Sequence, residues 1–229
     1  MEKNAVPWIE KYRPQTLEGV ISNIEVINTL KSFVRKSFLP NFIFYGPPGT
    51  GKTSAIVACA REIFQEFYDV MVLELNASDK RGIETVRTRI KAFTLAKGLS
   101  FQKKSKRPPV PFRLVVLDEA DAMTRDAQEV LYHRMEKTFV NARYCLICNY
   151  LKKIHPSLVS RCLVFRFSPL DLPQTKLKIT QIVAEEQIPI TPKAIDTIIQ
   201  QGEGDLRRVL NVLQAFYMTR KKGKKITHL

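Results

Sequence analysis

Short, largely continuous apolar runs recur along the chain at residues 42–45, 71–75, 114–117, 144–148 and 163–167. Runs without polar alternation predict strands covered on both faces, as in a parallel sheet. Between them, residues 54–61 and 82–96 predict helices, the second with Ile83, Val86, Ile90 and Phe93 on one side. Strands alternating with helices predict an α/β fold, a parallel sheet flanked by helices. The pattern changes at Ser168-Pro169-Leu170-Asp171-Leu172-Pro173, after which only helical spacing remains, over 174–186, 192–201 and 205–219. In the last of these Leu206, Val209, Leu210, Leu213, Phe216 and Tyr217 form an apolar face. The chain therefore divides into an α/β domain over 1–167, a small all-α module over 168–220 and a basic tail over 221–229. No internal repeat of fixed period is evident.

Composition narrows the class of partner. The 229 residues are 45% hydrophobic, enough for a substantial core, and carry a formal net charge of +15. Such a charge predicts a polyanionic partner, and nucleic acid is favoured over anionic lipid. No run of about 18 apolar residues exists, and residues 1–13 contain acids, Pro7 and no apolar core, so neither a membrane span nor a secretory signal is expected. The four cysteines, Cys59, Cys145, Cys148 and Cys162, lie in apolar surroundings, which fits a reducing compartment. Cys145 and Cys148 stand at C-x-x-C spacing, but Leu146 and Ile147 continue the strand between them and no second pair follows at zinc spacing. Buried, unreactive thiols are expected there.

Two motifs carry chemistry. Gly46-Pro47-Pro48-Gly49-Thr50-Gly51-Lys52-Thr53-Ser54 is a complete phosphate-binding loop placed between an apolar strand and a helix. Its glycines let backbone N–H groups turn toward phosphates, Lys52 supplies a point charge, the Thr53 hydroxyl is a magnesium ligand, and the helix N-terminus faces the anion. The second is Leu114-Val115-Val116-Leu117-Asp118-Glu119-Ala120-Asp121, a strand ending in acids. Beside a phosphate loop these read as a magnesium and water site, with Asp118 holding the metal and Glu119 polarising the attacking water. ATP and Mg²⁺ are therefore the expected cofactors. The same letters spell DEAD, but a helicase of that name needs a second nucleotide-fold domain, and only a short helical module follows.

Further motifs, in order along the chain, bring the sequence to resemble the small subunits of replication factor C, the sliding-clamp loader of the AAA+ ATPases. They are Pro7-Trp8-Ile9-Glu10-Lys11-Tyr12-Arg13-Pro14, the phosphate loop, Leu73-Glu74-Leu75-Asn76-Ala77-Ser78-Asp79, the Asp118 motif continuing through Met123-Thr124, Asn149, Ser160-Arg161-Cys162 and Gly204-Asp205-Leu206-Arg207-Arg208. Ile147-Cys148-Asn149-Tyr150 looks most like one ATP-competent small-subunit type. The resemblance implies an AAA+ phosphate-loop domain followed by a helical lid. It implies that Asn149 is the first sensor, bridging the γ-phosphate and water from a strand beside that of Asp118. Arg207 would be the second sensor, reaching from the lid, and Arg161 the arginine finger acting in trans on a neighbouring subunit. Ile9, Tyr12, Arg13 and Ile21 would line the adenine, while Trp8 and Tyr12 also suit anchoring of the arm. Arg81, Arg87 and Lys153 would contact DNA phosphates, reading shape rather than sequence.

The implied function is ATP-driven loading of a ring clamp, of the proliferating cell nuclear antigen type, onto primed DNA in the nucleus, within a hetero-pentamer of replication factor C subunits. Two rivals stand beside it: a non-hydrolysing DNA-binding scaffold of the same fold, and another AAA+ motor such as a branch-migration helicase, which the Pro7-Trp8 and Ser160-Arg161-Cys162 motifs do not suit. Two departures from the family pattern matter. Where the family carries paired arginines after the Asp118 strand, this chain has Tyr132 and His133, with Arg134 displaced by one position; these donors are not interchangeable. The sequence also ends at Leu229, before the helical collar of the family, so the expectation is either a fragment or shortened product, or weaker assembly through the ATPase and lid surfaces alone. Basic clusters at Lys103, Lys104, Lys106 and Arg107 and at Arg220, Lys221, Lys222, Lys224 and Lys225 have no implied role beyond solvated surface, a localisation signal or an extra DNA contact.

Overall fold

The computed structural model describes residues 6–21, 23–78, 83–95 and 110–223, the side chains of 83–87 and 220–223 excepted. In chain order the elements are α1 (Trp8–Lys11), α2 (Ile24–Arg35), β1 (Phe42–Tyr45), α3 (Lys52–Phe64), α4 (Tyr68–Met71), β2 (Val72–Asn76), α5 (Ile83–Leu95), β3 (Arg113–Asp118), α6 (Arg125–Lys137), β4 (Ala142–Cys148), α7 (Pro156–Val159), β5 (Leu163–Arg166), α8 (Leu172–Glu185), α9 (Pro192–Gly202) and α10 (Leu206–Gly223). Every apolar run read as a strand is one, with ends shifted by up to two residues where the ladder decides them. The strand expected to reach Phe167 stops at Arg166, although Phe167 N still donates to Tyr45 O at 2.7 Å. The last helix continues through Gly223, into the segment that composition marks as a tail.

The sheet has five strands in the order β2-β3-β4-β1-β5. All pairings are parallel, with Phe42 opposite Cys145 on one side and Leu163 on the other. Each strand must then be followed by a crossover, so all carboxyl ends lie along one edge. Alternate residues bury against different helices. Phe42, Phe44, Leu114, Val116, Cys145 and Ile147 join α2 and α3 in one core. Ile43, Val115, Leu117, Tyr144, Leu146 and Cys148 join α5, α6 and α7 in the other. Full burial of one such side chain contributes roughly 1.5–3 kcal/mol. Cys145 and Cys148 thereby face opposite sides of the sheet, and burial pushes the Cys148 thiol up to about 12.

The helices α8 to α10 bury Ile179, Ile182, Ile195, Ile199, Val209, Leu210 and Leu213 in a third core. Trp8 belongs to that core too, 3% exposed. Sequence division assigns the N-terminal arm to the α/β domain, whereas its helix α1 packs on the lid. The Trp8 indole completes the apolar face of the three lid helices, 5.3 Å from the Tyr217 ring. Among the described residues no helix is long and apolar enough to cross a membrane.

Candidate nucleotide site

The cleft lies where the carboxyl ends of β1, β3 and β4 meet the arm and the lid. Gly46 leaves β1 at φ 144°, a conformation that side chains rarely adopt. A Cβ there would stand 2.0 Å from Phe167 O, so only glycine permits the strand to turn beside β5. Thr50 Oγ1 then donates to Pro47 O at 2.9 Å and closes the loop, after which α3 begins at Lys52.

Lys52 is buried at the base of the loop. Its Nζ donates to Gly46 O and Pro47 O, both at 2.7 Å, and to Asn149 Oδ1 at 3.3 Å. Burial pulls the ammonium below the usual lysine range, and the charge of Asp118 opposes that pull. Gly46 and Pro47 thus hold the lysine through their carbonyls, while Pro48, Gly49, Thr50, Gly51, Lys52, Thr53 and Ser54 line the cleft itself.

Thr53 Oγ1 donates to Asp118 Oδ2 at 2.7 Å, and Asp118 Oδ1 accepts from Glu119 N at 2.8 Å. A hydroxyl and a carboxylate in contact are hard oxygen donors of the kind magnesium uses alongside water and phosphate. Among the described residues no group of three or more His, Cys, Asp or Glu side chains is placed to hold a metal, which a cation sharing its shell with phosphates does not require. Glu119 adopts φ 54°, and its exposed side chain lines the cleft. Asn149 follows β4, which lies between β3 and β1, so the topology puts its amide between Lys52 and the acids.

The lid closes one side. Arg207 lines the cleft from the first turn of α10, where Arg207 N and Arg208 N donate to Asp205 Oδ1 at 2.9 and 3.2 Å. Asp205 also abuts the phosphate loop: a Cβ on Gly49, which has φ 69°, would lie 1.7 Å from its Oδ1. Gly49→Ala is therefore expected to push the lid from the loop and lower affinity for nucleoside triphosphate at least tenfold, with a smaller fall in melting temperature. Calorimetric titration beside a thermal scan checks both.

The far end of the cleft is apolar. Ile9, Tyr12, Arg13 and Pro14 of the arm, Val20 and Ile21 after it, and Leu170, Leu206 and Leu210 of the lid line it. Ile9, Tyr12, Arg13 and Ile21, the residues expected against an adenine, thus line one cleft together. Arg161, by contrast, does not line this cleft. It is exposed between α7 and β5, its guanidinium 4.7 Å from the Tyr132 ring centroid, donating to Tyr132 Oη at 3.0 Å and paired with Glu136. Tyr132 and His133, standing where paired arginines were expected, therefore face Arg161 and Glu136 respectively. Lys153 is exposed outside the cleft, its Nζ over the Tyr150 ring. Arg81, the Arg87 side chain and the cluster at Lys103, Lys104, Lys106 and Arg107 lie outside the described residues.

Sequence reasoning missed Asp121 and gave Asp205 no role. Asp121 Oδ2 accepts from Asn149 N and Tyr150 N, each at 3.3 Å, and so pins the end of β4. An acid just before a helix is a legible capping signal for Asp205; the pairing of Asp121 with a distant strand end has no signature in sequence.

Comparison with known proteins agrees with this architecture. Residues 42–170 match the model of the ATPase family associated with various cellular activities. The chain is 44% identical to replication factor C subunit 3 of Blastobotrys adeninivorans over 226 residues, covering 99% of this chain and 64% of that protein. It is 48% identical to replication factor C subunit 3 of Saccharomyces cerevisiae and 46% identical to replication factor C subunit 5 of Homo sapiens, covering 93% of this chain and 60% and 61% of those proteins. The chain thus spans less than two thirds of the length of the curated relatives it matches. Among solved structures, the Holliday junction branch migration motor RuvB of Thermotoga maritima aligns with a TM-score of 0.68 at 16% identity, over 89% of this chain and 64% of that one, a likeness of fold.

Proposed function

From the premise that this chain belongs to the AAA family of ATPases, we propose that it binds and hydrolyses ATP as a subunit of a replication factor C clamp loader. The observation that carries the reading is the convergence of Lys52, the Thr53–Asp118 pair, Glu119, Asn149 and Arg207 on one cleft. Lys52 would exchange its loop carbonyls for phosphate oxygens, gaining a charged partner for a charge that burial disfavours. Thr53 and Asp118 would hold Mg²⁺, which supplies charge neutralisation on the phosphates when bound. Glu119 would orient the attacking water and accept its proton, Asn149 would hold that water against the γ-phosphate, and Arg207 would make lid closure depend on it. The adenine would lie at the apolar end against Ile9, Tyr12, Arg13 and Ile21.

The relatives' names support assembly with other replication factor C subunits; a ring clamp, primed DNA and the nucleus belong to the proposal through the motif resemblance. The net charge of +15 supports a DNA partner, with Arg81, Arg87 and Lys153 the proposed phosphate contacts. Lys52→Ala tests the ATPase reading against the scaffold rival. Its expected result is an ATP Kd raised at least tenfold, about 1.4 kcal/mol or more, together with loss of hydrolysis in the assembled complex. A variant that loads clamps like the wild type would establish the scaffold instead.

A further inference from the structure

The arm that forms the apolar end of the cleft is fastened to the lid rather than to the sheet, and the fastening is polar as well as apolar. Trp8 N donates to Gln214 Oε1 of α10 at 3.0 Å, beneath the burial of its indole. Four residues on, Tyr12 Oη donates to Glu186 Oε1 at 2.7 Å, and Lys11 Nζ pairs with the same carboxylate. Glu186 sits at the C-terminus of α8, its side chain only 12% exposed. Its carboxylate is thus withdrawn from water and held by groups of the arm. Burial and the adjoining carboxylate raise the Tyr12 phenol above its ordinary value, so the tyrosine stays a donor at any physiological pH.

Tyr12 lines the cleft together with Ile9 and Arg13. Glu186 does not line the cleft, whereas Tyr12, which it holds, does. Resting on the reading of this cleft as a nucleotide site, we propose that Glu186 is a positioning residue for the nucleotide base. It acts through the Tyr12 hydroxyl and Lys11 to hold the arm's base-binding wall at a fixed place on the lid. Phosphates and most of the base wall then belong to different bodies, the phosphates to the loop of the α/β domain and Ile9, Tyr12 and Arg13 to the arm with the lid, while Val20 stays with the α/β core. Opening of the lid withdraws the wall, so base recognition and lid closure are one motion.

The chemistry separates this role from general stabilisation, because the wall touches only the apolar end of the cleft. Glu186→Ala is expected to raise the Kd for ATP about tenfold and to leave binding of inorganic tripolyphosphate, which has no base, unchanged. Tyr12→Phe removes one hydroxyl without disturbing packing and is expected to do the same. The double variant should be no weaker than Glu186→Ala alone, since that change already removes the acceptor of the Tyr12 hydroxyl. Glu186→Gln keeps the acceptor oxygen and should recover part of the affinity. The emission of Trp8, the only tryptophan in the chain, reports whether the lid core stays intact in each variant. Equal losses for ATP and tripolyphosphate, multiplicative effects in the double variant, or wild-type ATP affinity in Tyr12→Phe would each overturn the assignment. A wild-type chain that binds neither ligand would overturn the nucleotide reading beneath it, an outcome distinct from all of these.

Discussion

Arg161→Ala is expected to leave ATP binding by this chain unchanged while slowing hydrolysis at a neighbouring subunit's site by about 10³ to 10⁵. An arginine that completes a neighbour's site must be exposed and clear of its own cleft, and Arg161 meets both conditions. The loop holding it is short, running from Ser160 Oγ, which donates to Ser157 O at 3.0 Å, to β5, whose Leu163 N donates to Asn41 O at 2.8 Å. The guanidinium lies over the Tyr132 ring and pairs with Glu136. These partners fix the direction of the side chain, and the surface pair with Glu136 is weak enough to exchange for a phosphoryl oxygen. Arg161→Lys should recover little, because an ammonium lacks the planar fork. The measurement is single-turnover hydrolysis in a mixed complex where only this subunit carries the change. A rate within threefold of the wild type would place the finger elsewhere.

Glu119→Gln should trap ATP. Hydrolysis is expected to fall by about 10² to 10⁴, the usual contribution of a general base, with the ATP Kd altered less than threefold. The two acids that end β3 are adjacent in sequence yet held to different tasks by the backbone. Asp118 is engaged on both oxygens, by Thr53 Oγ1 and by Glu119 N. Glu119 then turns into the left-handed region at φ 54°, a conformation costing a non-glycine residue on the order of 1–3 kcal/mol. That turn takes its carboxylate off the line of the strand and into the cleft beside Asn149. Asp118→Asn should behave differently, weakening the magnesium dependence of binding as well as the rate. Pre-steady-state hydrolysis, with nucleotide affinity measured on the same variants, distinguishes the two. Undiminished hydrolysis by Glu119→Gln would remove Glu119 from the mechanism.

Much of the fold was legible because its signals are local. A parallel strand buried on both faces must be apolar at consecutive positions, as the runs of β1, β3 and β4 were, whereas the edge strands β2 and β5 carry Glu74 and Arg166 and are partly exposed. The phosphate loop was legible for the same reason, since its glycines, lysine and threonine act within a single turn of chain. The arm was less so. Nothing in the spacing of Trp8 and Tyr12 tells a lid contact from a sheet contact, because an apolar ring satisfies either. The helix α2 also escaped notice, though Val26, Ile27 and Leu30 bury one face of it.

The sequence by itself determined the class of fold, the phosphate loop and the acids that face it, because short-range periodicity and motif chemistry are written in neighbouring residues. Only the tertiary structure decided which distant groups meet. The strand order set Asn149 between Lys52 and Asp118, Asp205 came to rest against Gly49, and Tyr12 found Glu186 across a sequence separation of 174. Those encounters follow from packing helices on both faces of a twisted sheet and a lid on its edge, and packing is a property of the whole chain rather than of any segment.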